Sequence, residues 1–119
     1  MAKPTARLAF YINHLYRKYA PLGAQHGLQL DLDLTSPDTL VGNYRAVEEA
    51  LEAYLAHSTN SHHPGHLIIS DTKDSVIIKD DSLVLFPEER QKFTSDITSV
   101  KSRVGFGTTL TIQIIPPAP

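Results

Sequence analysis

The sequence predicts an α+β fold, a two-layer sandwich with helices on one face of a mixed sheet. Three patterns carry that expectation. Two stretches, 5–23 and 44–58, repeat apolar residues at spacings of three and four, the period of a helix with one buried stripe. The segment 28–34 alternates leucine with polar residues, as a strand with one wet face does. The second half is cut by turn residues into short β-branched runs. At 119 residues the chain has room for one core, so 1–119 is read as a single domain.

The first helix, 5–23, carries Leu8, Ile12, Leu15, Tyr19 and Leu22 on its stripe, with Arg7, His14, Arg17 and Lys18 turned mostly away. Pro21 removes one hydrogen bond there, which predicts a kink or an end near Tyr19, and Gly27 closes the N-terminal unit at 1–26. Ser36-Pro37-Asp38 is turn chemistry and precedes a short apolar piece, 39–41. Asn43 is placed to cap a second helix from Tyr44, with Val47, Ala50, Leu51, Tyr54 and Leu55 inside, ending at His57 or Ser58. The stretch 58–65 is polar and is expected to bury no face. Strands follow at 66–70 and 75–79 around an Asp71-Thr72-Lys73-Asp74 loop. Pro87-Glu88-Glu89-Arg90 opens a short helix, with proline in its first turn and acids at the positive end of its dipole. Strands at 97–102 and 108–115 and an extended 116–119 tail complete the chain.

Composition narrows the function. Eleven basic residues against 13 acidic give no general attraction to nucleic acid or to a membrane surface. With no cysteine, disulfides, thiolate metal sites and thiol catalysis are excluded. No apolar run is long enough for a membrane span or a signal peptide, so a cytoplasmic location without membrane insertion is expected.

The most informative segment runs Arg103-Val104-Gly105-Phe106-Gly107-Thr108-Thr109-Leu110. Gly105 and Gly107 can take positive φ in a tight turn, and the residues after them alternate at the strand period. The same wording closes the ATP-binding domains of sensor histidine kinases. With Pro21-Leu22-Gly23-Ala24 before Gly27-Leu28-Gln29-Leu30, and with Val41-Gly42-Asn43-Tyr44 before Glu48-Glu49-Ala50-Leu51, the chain resembles the ATPase domain of the GHKL superfamily nearly from end to end.

That resemblance implies a set of positions. Glu49 stands where the family often has a Gln or Glu in a catalytic role, Ala53 at an often-asparagine position, and His57 where an asparagine holds magnesium. Magnesium prefers oxygen ligands, so His57 is a poor replacement. Asp80 matches the carboxylate that accepts the adenine amino group, but Ser82 and Val84 replace the glycines that follow it. Gly105, Gly107, Thr108 and Thr109 match the last nucleotide box, whose threonine supports the adenine-bound carboxylate. Between Glu89 and Ile97 only the seven residues 90–96 stand where the family carries a lid and a glycine-rich phosphate cradle. The phospho-acceptor histidine of the family is not matched by His14, and one helix is too little for the two-helix stem.

Three functions follow. The first is a degenerate histidine-kinase-type domain that acts as a docking or regulatory module for a signalling partner, such as a response regulator or the rest of a kinase, with weak or no ATP binding and no cofactor expected. The second is a working catalytic domain with ATP and magnesium, in which Asp80, Glu49 and Thr109 keep their family roles. The third rests on His57, His62, His63 and His66, four histidines in ten residues that would hold zinc, nickel or copper if the loop converged them.

Overall fold

A computed structural model describes residues 6–36 and 38–117. In chain order the elements are β1 (Ala6–Arg7), α1 (Leu8–Ala24), β2 (Leu28–Asp33), β3 (Leu40–Val41), α2 (Tyr44–Asn60), β4 (Gly65–Asp71), β5 (Ser75–Asp80), α3 (Pro87–Phe93), β6 (Thr98–Arg103) and β7 (Gly107–Gln113). Five strands form one mixed sheet in the order β2-β4-β5-β7-β6, and β1 pairs with β3 in a separate two-stranded ribbon. Only β2 and β4 run parallel, because α2 lies between them as a crossover; the remaining neighbours are antiparallel.

The core sits between the sheet and the two long helices. Leu8, Ile12, Leu15 and Tyr19 of α1 and Val47, Leu51, Tyr54 and Leu55 of α2 face Leu30, Leu67, Ile69, Val76, Ile78, Leu110 and Ile112 of the sheet. Each fully buried aliphatic side chain of this set contributes about 1.5–3 kcal/mol through its removal from water. The helix α3 packs on β6 and touches α2 through Phe93. Among the described residues no helix is long and apolar enough to cross a membrane.

Several expectations are corrected. Pro21 does not end α1 near Tyr19: the helix continues to Ala24. The proline costs one hydrogen bond in the last turn, while Gly23 packs so closely on β2 that a Cβ there would lie 2.9 Å from the Leu28 carbonyl oxygen. Leu22, placed on the buried stripe by its spacing, is exposed. Asn43 does not cap α2 with its side chain; its Nδ2 donates to the Gln113 carbonyl and its Oδ1 accepts the Ile115 N–H, so it pins the end of β7 instead. The helix α2 runs on to Asn60, and Ser58 and Thr59 are buried, contrary to a stretch that buries nothing. Of the 116–119 tail, residues 118 and 119 lie outside the described residues, as does the start of the first predicted helix at Thr5.

Candidate functional site

Asp80 ends β5 on the helix-facing side of the sheet and is 2% exposed. Burying a carboxylate in such a place requires donors for its oxygens, and four reach it. The Tyr54 hydroxyl donates to Oδ2 at 2.7 Å and the Ser58 hydroxyl to the same oxygen at 2.6 Å. The Ser82 N–H and hydroxyl donate to Oδ1 at 2.8 and 2.5 Å. Tyr54 and Ser58 are one turn apart on α2, so a single helical face presents both hydroxyls to the strand end. Burial first, and then the Asp80 carboxylate, hold the Tyr54 hydroxyl protonated far above the ordinary tyrosine range.

The loop after Asp80 is tied down by a second set of hydroxyls. The Leu85 N–H donates to Ser102 Oγ, Ser102 and Thr108 share a hydroxyl contact of 2.8 Å, and the Thr108 hydroxyl donates to the Leu83 carbonyl. Gly107 lies beneath this loop with φ +76°, and a Cβ there would come within 2.4 Å of the Asp80 carbonyl oxygen. Glycine is therefore required twice over, by its left-handed backbone and by the close approach. Gly105 also has positive φ, at +88°, but nothing lies within 4 Å of a Cβ built there. It serves the turn alone.

The remaining predicted residues are divided among different places. Thr108 is register-paired with Asp80 on the inner face, whereas Thr109 pairs with Lys79 and points to the outer face. The pairing expected of Asp80 with either threonine is thus available only to Thr108. Glu49 and Ala53 line a groove of about 340 Å³ with Ala46, Ala50, Phe93 and Thr98, and Asp80 does not reach it. Phe93 packs edge-on against the Tyr54 ring at 5.4 Å, so an aromatic wall stands between that groove and the carboxylate. His57 places Nε2 at 3.3 Å from the Glu89 carboxylate and its ring 5.2 Å from Phe93. The segment 90–96 is shorter as a loop than its sequence suggested, since α3 takes it up as far as Phe93. Ser82 fills the space beside Asp80, while Val84 is exposed.

The four loop histidines also separate. His57 turns to Glu89, His62 stacks on His26 at 3.7 Å, and His66 contacts the Asp31 carboxylate through Nε2. Among the described residues no three metal-ligating side chains converge. The residues that sequence reasoning missed are Tyr54 and Ser58 as partners of Asp80. Tyr54 reads as apolar stripe and Ser58 as loop; the available signal is their spacing of four on the stripe of a helix that crosses over the end of β5.

No sequence-family model and no curated protein matches this chain. Solved structures do. The catalytic domain of the histidine kinase ThkA superposes with a TM-score of 0.73 over 98% of this chain and 97% of that one, at 12% identity. The histidine kinase domain of the E. coli osmosensor EnvZ gives 0.69 over 100% and 92%, at 10% identity. A complex of ThkA with the response regulator TrrA gives 0.63 at 11% identity, with this chain covered to 93% and spanning 41% of that one. The fold is therefore that of histidine kinase catalytic domains. Identities this low establish architecture and not activity.

Proposed function

We propose that this domain is a degenerate histidine-kinase-type ATPase domain that serves a two-component-like signalling system as a docking or regulatory module, with weak or no ATP binding. One observation carries this reading. The carboxylate at the position that would accept the adenine amino group is already engaged by Tyr54, Ser58 and Ser82, and it is closed from solvent. An adenine would have to displace at least one of these donors, leaving a buried hydroxyl without a partner at about 1–3 kcal/mol. The separation of Glu49 from Asp80 by the Tyr54–Phe93 contact supports the same reading, because phosphate and purine recognition need one continuous cavity. A histidine at position 57 held by Glu89 supplies no oxygen ligand for magnesium. The response regulator bound to ThkA shows that a protein with this fold takes part in such a complex.

Calorimetric titration of the domain with ATP and magnesium tests the proposal. No saturable heat up to about 1 mM nucleotide is expected, the range of a free energy weaker than about 4 kcal/mol. Micromolar binding that Asp80→Asn abolishes would establish the catalytic-domain alternative instead.

A further inference from the structure

The strand β2 is an edge of the sheet, paired on one side with β4 and with no strand on the other among the described residues. Its register shows which backbone groups are left over. The Gly65 N–H donates to the Gly27 carbonyl, so Gly27 faces β4. In a parallel pair the N–H and C=O of one residue point the same way and alternate along the chain. Leu28, Leu30 and Leu32 therefore direct theirs to the free edge. The proximity of the Leu28 carbonyl oxygen to Gly23 of α1 agrees with that direction. A groove of about 430 Å³ runs beside this edge, between it and the α1 side chains Tyr16, Ala20 and Ala24.

A helix lying beside an unpaired strand, with a groove between them, is the arrangement in which an extended peptide is taken up as an additional strand. Backbone groups of Leu30 and Leu32 would supply the pairing. Alternate side chains of an incoming strand would point into the groove, against Tyr16, Ala20 and Ala24, which favours apolar residues. The other set would lie on the outer face beside Gln29, Asp31 and Asp33, and the exposed Asp33 gives that row a negative end. Lysine or arginine fits there. A second copy of β2 fits poorly, since edge-to-edge pairing would bring its own aspartates alongside these, and like charges across a strand pair are destabilising.

We propose that the free edge of β2, with the groove beside α1, is a strand-addition site for an extended segment of a partner protein in which apolar residues alternate with lysine or arginine. The site shares no residue with the Asp80 network and does not depend on whether the domain binds nucleotide.

The test uses a fluorescein-labelled eight-residue peptide of alternating valine and lysine, followed by polarisation against the whole chain. Saturable binding is expected, weaker by about tenfold or more for a peptide of alternating valine and glutamate, a difference of about 1.4 kcal/mol. N-methylation of alternate peptide amides, which blocks pairing and leaves the side chains, should abolish binding. Hydrogen exchange should show new protection at Leu30 and Leu32. Ala24→Arg, on an exposed position at the groove, should weaken binding with an unchanged melting temperature, and Asp33→Lys should shift preference toward the glutamate peptide. Absence of saturable binding, equal binding of the N-methylated peptide, or indifference to both variants would overturn the proposal. Protection of the same amides in a concentration-dependent dimer without peptide would overturn it in favour of a second copy.

Discussion

Two buried aspartates close opposite ends of the β4–β5 hairpin, and they are satisfied in different ways. Asp71, 4% exposed, accepts the backbone N–H groups of Thr35 and Ser36 with Oδ1 at 2.6 and 3.1 Å, and the Thr35 hydroxyl adds to the set. Its donors belong to a loop that has water on its other side. Asp80 takes two side-chain hydroxyls from α2 that have no access to water. Asp71 is a loop clasp that any sequence with free amides could complete. The Asp80 centre depends on particular side chains, Tyr54, Ser58 and Ser82, brought together from α2 and from the loop after β5. The difference separates a carboxylate satisfied by loop amides at the periphery from one satisfied by buried hydroxyls in the core.

Removing each carboxylate should expose that difference. Asp80→Ala leaves two fully buried hydroxyls unpaired at about 1–3 kcal/mol each and opens a small void, so a loss of about 3–5 kcal/mol is expected. Asp71→Ala leaves amides that water can reach, and a loss of about 1–2 kcal/mol is expected. Urea denaturation of both variants measures the pair. Equal losses would remove the distinction between the two centres.

Much of this arrangement is legible in the sequence, and the unread part has a common cause. The alternation from Leu28 and the stripe of Val47, Leu51 and Leu55 are local patterns whose period sets the element, and the structure has them as expected. The α+β order and the turn at Gly105 and Gly107 follow in the same way. Ser58 and Thr59 mislead because polarity at a helix end ordinarily means solvent; here Ser58 meets a carboxylate 22 residues later and Thr59 folds back onto the Leu55 carbonyl. Asn43 misleads because a competing partner, the end of β7, lies 70 residues away. Pro21 misleads because it falls in the last turn of α1, where it removes one hydrogen bond and the helix runs only to Ala24 beyond it. For the candidate site, Asp80 and Thr108 are identifiable from their wording, whereas the groups that occupy Asp80 are visible only once α2 is laid across β5.

The smallest expected effect isolates one donor. Tyr54→Phe keeps the ring against Phe93 and removes one of the four donors to Asp80, which retains Ser58 and Ser82. A loss of about 1 kcal/mol is expected near neutral pH, the net worth of one such hydrogen bond. The pH dependence gives the sign. In the folded chain this hydroxyl ionises far above its ordinary value, through burial and then through the Asp80 carboxylate, while in the unfolded chain it titrates near 10. A raised folded value means the stabilisation is complete below the unfolded value and declines as pH rises above it, by about 1.4 kcal/mol per pH unit. The phenylalanine variant lacks that decline, and the other tyrosines and lysines are common to both proteins. The stability gap should therefore be steady up to about pH 10 and close about one unit above it. A gap that stays constant to about pH 11 in urea titrations would mean that Tyr54 ionises in the folded state as it does in the unfolded one, and that the Asp80 centre is not closed from solvent.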